Sequence, residues 1–279
     1  MNTTTTIEVR DRRFDLREER VPRHWFGGRK AVTRFMDNLS IFFPAGERFF
    51  VASVRAHEKK ANEKDVDAQL LKDMRAFVGQ EGIHTREHIR YNEMLKAQGL
   101  PVAEMEERVR VLLSRVTKWT PRRRQLAVTC ALEHFTALLG HVLLDDGDLS
   151  EAAPEMASLW SFHAAEENEH KAVAFDLYRE MGGTYTERVL VMVGATIVFW
   201  AKVLEHQVRL MNAEGILFDA REWADLAKFL FVSPGPLRRL AIPYLHYFRP
   251  GFHPNDLDVS AVLERFYATC ASQTAQSQP

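Results

Sequence analysis

Apolar residues recur at three- and four-residue spacing along nearly the whole chain, and alternating runs bounded by turn residues are scarce. That period predicts an all-α protein. After a loop at residues 21–28, a short helix is expected from residue 30 to about 42, with Pro44 at the first position of a second helix running to about residue 60. Asp65 has the chemistry of a helix start, and no Pro interrupts the pattern that follows until Pro101, although Gly79 and Gly82 weaken its middle. A helix over residues 102–119 comes next. Thr120-Pro121 then reads as an N-cap and first helical position for another helix, which stops near Asp145-Asp146-Gly147-Asp148. A further core helix is expected over residues 151–181, ended by Gly182-Gly183. Four core helices, with residues 102–119 crossing between the second and third, have the connectivity of a ferritin-like bundle.

Beyond Gly183 the pattern changes. Residues 189–201 form an uncharged, mostly apolar run between Arg188 and Lys202, too short for a membrane span of roughly 20 residues. The leading expectation is a helix buried against the bundle; an interfacial or partner-binding helix, with peripheral membrane contact or a homodimer, is the lesser reading. Residues 229–254, rich in aromatics and Pro, are expected to fold over the bundle as short helices and loops. The chain thus divides into a disordered start at 1–20, a bundle at 21–183, a helical extension packed on it at 184–274, and a disordered tail at 275–279.

Composition adds exclusions. Lys plus Arg (37) against Asp plus Glu (38) gives no nucleic-acid footprint, and 46% hydrophobic with 27% charged residues is ordinary for a globular chain. The two cysteines, Cys130 and Cys270, cannot form a disulfide framework or a Cys-rich zinc site. With no signal-peptide pattern at the polar start, a cytoplasmic location is expected.

The informative chemistry is carboxylate and imidazole at helical spacing. Glu81 and His84 form one Glu-x-x-His pair, and Glu167 and His170 form another. Positions i and i+3 share a helix face, so each pair can aim at one point in the bundle interior. Glu47 and Glu133 each sit inside an apolar run on the other two core helices. Two lone Glu and two Glu-x-x-His pairs, one element per helix, are the ligand arrangement of carboxylate-bridged di-iron and di-manganese bundles. Four carboxylates also neutralise two divalent cations, which lets the centre be buried.

His163 lies on the stripe of Glu167 and His170 and reads as a third histidine ligand, or else as a hydrogen-bonding or core histidine. His88, one turn beyond His84, and Glu166, next to Glu167, read as hydrogen-bonding partners of ligands. Thr136 falls on a small-residue face with Thr129, Cys130, Ala137 and Gly140. That face, with Phe50, Val51 and Val54 opposite, could leave room for dioxygen and a substrate, or could serve close helix packing.

The runs Gln80-Glu81-Gly82-Ile83-His84-Thr85-Arg86-Glu87-His88 and Glu166-Glu167-Asn168-Glu169-His170, with Phe252-His253-Pro254, resemble the bacterial family of predicted metal-dependent hydrolases over residues 21–263. The ligand pattern also resembles the di-iron arylamine N-oxygenases of the p-aminobenzoate N-oxygenase type. That resemblance implies Glu47, Glu81, His84, Glu133, His163, Glu167 and His170 as metal ligands, His163 being the distinguishing one.

The leading expectation is therefore an oxidoreductase with two Fe ions (or Mn). It would activate dioxygen to oxidise a small organic substrate and draw on an external electron donor, with no catalytic residues beyond the ligands. A hydrolase acting through metal-activated water, with Zn as its metal, is the alternative. A metal-storage or helical interaction protein is a second.

Overall fold

A computed structural model describes residues 7–64, 66–144 and 149–276, with side chains to residue 271. Among the described residues the regular elements are helical: α1 (Lys30–Glu63), α2 (Ala68–Ala97), α3 (Val102–Trp119), α4 (Arg122–Leu144), α5 (Pro154–His170), α6 (Val173–Glu180), α7 (Tyr185–Ala213), α8 (Ala220–Phe231), α9 (Pro236–His246), a 3-10 turn (Pro254–Asp256) and α10 (Ser260–Gln276). The all-α expectation holds. Helices α1, α2, α4 and the α5–α6 pair pack together, and α3 crosses along α1 between the second and third of them.

The break expected before Pro44 does not occur, because α1 runs unbroken from Lys30 to Glu63 with Pro44 inside it. Proline removes the N–H that would bond the carbonyl four residues back. That carbonyl, on Ser40, instead accepts from Asn92 Nδ2 at 3.3 Å. A side chain from α2 thus satisfies the orphan group and lets the helix continue. The opposite error applies to residues 151–181. The ladder is interrupted at Lys171 and Ala172, immediately after His170, although both residues keep right-handed helical angles. No Pro or Gly marks the place; Lys171 turns its buried ammonium onto Leu257 O at 2.6 Å.

Two caps also differ. Asp65 lies outside the described residues, and α2 is instead capped by Asp67, whose side chain accepts from Gln69 N. The Thr120 hydroxyl turns back to Val116 O at 2.8 Å, closing α3 rather than opening α4. The expected stop at residues 145–148 also lies outside the described residues, α4 being traced to Leu144.

Residues 7–20, expected to be disordered, cross the bundle as an ordered strap. Phe14 and Leu16 are buried, Glu8 O accepts from Gln80, and Arg10 reaches Glu169 at 3.0 Å. Two apolar side chains and a string of Arg contacts hold a stretch that looks too polar to fold. Residues 1–6 lie outside the described residues; at the other end α10 continues to Gln276, so residues 275 and 276 belong to a helix.

Helix α7 lies against α1 and α4 and buries Met192, Val203, His206, Gln207, Leu210 and Met211. Val191, Ala195, Phe199 and Trp200 are partly buried against the core, but another set of apolar side chains faces outward: Leu190 is 66% exposed, Ile197 66% and Leu204 58%. The expectation of a buried helix is therefore corrected. An apolar run without polar punctuation does not say which of its faces is covered. By length and composition α4 and α7 are both long and apolar enough to cross a membrane, but α4 is largely core.

Candidate metal centre

Each of the seven predicted ligands arrives in one place. Glu47 comes from α1, Glu81 and His84 from α2, Glu133 from α4, and His163, Glu167 and His170 from α5. None is more than 5% exposed. Their ligand atoms fall into overlapping groups: Glu81, Glu133, Glu167 and His170 form one, Glu47, Glu81 and His84 a second, and His84, His163 and Glu167 a third. Glu81 and Glu167 belong to groups on both sides, the position a bridging carboxylate needs.

Distances within the cluster suit shared cations. His170 Nε2 is 3.2 Å from Glu81 Oε1 and 3.4 Å from Glu133 Oε2; His163 Nε2 is 3.0 Å from Glu167 Oε1; His84 Nδ1 is 3.6 Å from Glu167 Oε1. Ligand atoms each about 2.1 Å from one cation stand about 3 to 4 Å from one another.

The outward side of each imidazole is anchored. His84 donates from Nε2 to Glu166 Oε2 at 2.9 Å, which leaves Nδ1 facing Glu81 and Glu167. His170 donates from Nδ1 to Gln80 Oε1 at 2.8 Å, while Gln80 Nε2 is committed to Glu169 Oε2 at 2.7 Å. Glu169 in turn takes Tyr267 OH at 2.7 Å and Arg10.

His163 is oriented by a longer relay. Asn92 Nδ2 must face two acceptors, Ser40 O and Glu106 Oε1, so its Oδ1 accepts from the Ser40 hydroxyl at 2.8 Å. Ser40 Oγ then accepts from His88 Nδ1 at 2.9 Å, and His88 Nε2 accepts from His163 Nδ1 at 3.0 Å. The lone pair of His163 Nε2 is left toward Glu167. Ligand tautomers are commonly fixed by such outer hydrogen bonds. Thr85 does the same for a carboxylate, donating to Glu47 Oε2 at 2.8 Å.

The structure thus places His88 and Glu166 against ligand imidazoles. Thr136 does not touch a ligand side chain; its hydroxyl returns to Glu133 O at 3.0 Å. Ser40, Gln80, Thr85, Asn92, Arg10 and Tyr267 escape a search for ligands, because they are ordinary polar residues whose partners lie on other elements.

On their own, the clustered groups distort each other's proton affinity. Burial and the Glu81 charge push the Glu47 carboxyl well above its usual range, and burial with the Glu167 charge pushes Glu133 up to about 8. Burial alone would lower His84 and His170, but the negative carboxylates crowded around both rings overcome it and raise both. Burial lowers His88 and His163, in keeping with neutral rings in the relay.

An apolar cavity of about 340 Å³ adjoins the cluster. His163, Trp160 and Ala164 of α5, Phe43, Gly46 and Phe50 of α1, and Thr136 and Gly140 of α4 form its wall on that side. The small-residue face of α4 both lines the cavity and packs closely on α5. Gly140 lines the cavity and also permits close packing, since a Cβ there would lie 2.9 Å from Ala164 O. Thr129 instead pairs with Ser53 at 2.7 Å. Phe50 lines the cavity as expected, whereas Val54 is packed in the core and Val51 is not part of the lining.

No curated protein and no solved structure matches the chain in comparison. The family described as predicted metal-dependent hydrolase matches residues 8–258, strap, cluster and most of the extension together, and the chain belongs to it.

Proposed function

We propose that the buried cluster holds two divalent ions, iron or manganese, and that the protein uses them with dioxygen to oxidise a small organic substrate. The observation that carries the two-ion reading is a set of orphaned atoms. Glu47 Oε1, both oxygens of Glu81 and of Glu133, Glu167 Oε2, His84 Nδ1, His163 Nε2 and His170 Nε2 are buried without hydrogen-bond partners. Buried polar atoms are rarely left unpaired, and an unpaired carboxylate is costlier still. Two cations would satisfy all of them, and four carboxylates would balance their charge.

Ions bound there would supply electron-transfer and dioxygen chemistry, recharged by an external reductant. The side chains do the rest. Glu166, Gln80 and the His88 relay hold His84, His170 and His163 in fixed tautomers, and Thr85 holds Glu47. Phe43, whose ring centroid lies 4.4 Å from that of His163, screens the cavity side from water. Oxidation is supported by the number of carboxylate and imidazole donors, more than the three protein ligands typical of hydrolytic zinc, and by the apolar cavity. The likeness to arylamine N-oxygenases in ligand pattern points the same way.

Hydrolysis is the second reading, and the family description speaks for it rather than for oxidation. Under it a carboxylate of the cluster would act as base, and bound zinc would activate water without dioxygen. Purification from iron-, manganese- and zinc-supplemented cells, followed by oxygen-uptake and ester-cleavage assays, separates the two. Two iron or manganese ions per chain with reductant-dependent oxygen uptake supports oxidation; zinc-supported, oxygen-independent cleavage supports hydrolysis.

A further inference from the structure

We infer that the cavity beside the cluster binds an elongated aliphatic chain of the fatty-acyl kind, with its reacting end at the cluster; the last clause rests on the two-ion reading above. Size and shape come first. The lining residues of α4 run from Arg124 to Leu143, about 28 Å along the helix axis, so the space is long rather than round. A single small ring beside His163 would leave most of it empty.

Chemistry comes second. The hydroxyls of Thr120 and Thr136, both in the lining, are turned onto carbonyls of their own helices. Beyond the cluster end, where His163 and Trp160 stand, the walls are hydrocarbon: Leu112, Val116, Leu132 and Phe135 from α3 and α4, Ala195 and Phe199 from α7. The charged lining residues, Arg124 and Lys202, are partly exposed and so stand where the cavity meets solvent. A ligand that fits these walls needs length, needs no hydrogen bonds along its body, and carries any polar head at an opening. An unbranched acyl chain has those properties.

On α7 the lining positions Val191, Gly194, Ala195 and Val198 fall at i, i+3, i+4 and i+7, one stripe of the helix. Gly194 and Val198 are exposed and so stand at a mouth of the cavity, and a Cβ at Gly194 would meet no atom within 4 Å, so a large side chain can be placed at that mouth without backbone conflict.

The test is calorimetric binding of octanoate, dodecanoate and hexadecanoate, each below its micelle concentration, to the full chain as purified, with metal content measured on the same samples. Affinity is expected to rise by about fourfold per methylene and to level off once the chain fills the cavity. Gly194→Trp and, as a second variant on another wall, Leu112→Trp should each weaken hexadecanoate by about tenfold or more while helical content is kept. Ile197→Asp, on the outward face of α7, should change nothing. Hexadecanoate binding no tighter than octanoate, or lost only in Ile197→Asp, overturns the proposal. Metal-loaded protein without chain-length dependence refutes the ligand class and leaves the two-ion reading standing; metal-free protein with it does the reverse.

Discussion

Two buried polar clusters lie about 15 Å apart along α1, centred on Asp37 and Glu47, and they are built to opposite rules. Around Asp37 every partner is internal. Its Oδ1 accepts from Trp25 Nε1 at 3.0 Å and Tyr91 OH at 2.6 Å, and its Oδ2 accepts from Arg34. Arg34 goes on to Glu214 at 2.7 Å, and Glu214 is also held by Arg23 and His24. Around Glu47 carboxylates meet carboxylates, and the atoms facing inward have no hydrogen-bond partner. Arginine side chains complete the first cluster, whereas among the described residues no Arg or Lys forms an ion pair with Glu47, Glu81, Glu133 or Glu167 in the second. Burial and charge alone do not separate a structural network from a candidate metal centre; the second cluster differs in that several carboxylate and imidazole atoms stay unpaired side by side.

The largest effect that would sharpen this contrast is expected at Asp37. Asp37→Ala leaves the guanidinium of Arg34 without its closest carboxylate and should destabilise the protein by about 3 to 5 kcal/mol in denaturant unfolding, with metal content of the folded fraction unchanged. Glu133→Leu should act in the other direction in metal-stripped protein. Removing one member of a crowd of carboxylates should stabilise that form by about 1 to 4 kcal/mol, while metal per chain falls in elemental analysis.

His206 tests whether an unpaired atom is enough by itself. Both of its ring nitrogens lack partners, but it stacks on Phe42 and belongs to none of the groups of clustered ligand atoms, and burial lowers it from 6.5 to about 4. The unfolded chain binds this proton more readily than the folded one. Stability should therefore fall by about 2 to 3 kcal/mol as pH drops from about 6.5 towards 4, visible in pH-dependent thermal melts and reduced in His206→Leu. His206→Leu should leave metal content untouched. The smallest effect is expected in the relay: His88→Leu frees His163 to rotate and should weaken metal binding by about 10- to 100-fold in competition titrations with a chelator, without loss of fold.

How much of this was legible in the residues follows from what periodicity reports. Spacing along one helix tells which side chains share a face, so the pairs Glu81–His84 and Glu167–His170, with Glu47, Glu133 and His163, could be brought together before any coordinates. Spacing does not tell what another helix supplies. Pro44 illustrates the limit: read alone it ends a helix, yet Asn92 from α2 bonds the carbonyl it frees, and the same Asn92 then sets the direction of the Ser40–His88–His163 relay. Gln80 and Arg10 escaped for the same reason. The exposed face of α7 and the ordered strap at residues 7–20 depend on which surfaces remain to be covered once the bundle has formed, and local pattern carries no record of that.

The central claim is that the orphaned carboxylate and imidazole atoms are completed by two cations. Elemental analysis of protein purified from metal-supplemented cells, paired with anomalous scattering from its crystals, tests it most directly. The account predicts about two metal ions per chain, one toward Glu47 and His84 and the other toward Glu133 and His170, with Glu81 and Glu167 between them. A cluster that takes up no metal under any supplementation, its inward atoms bonded to ordered water instead, would contradict it.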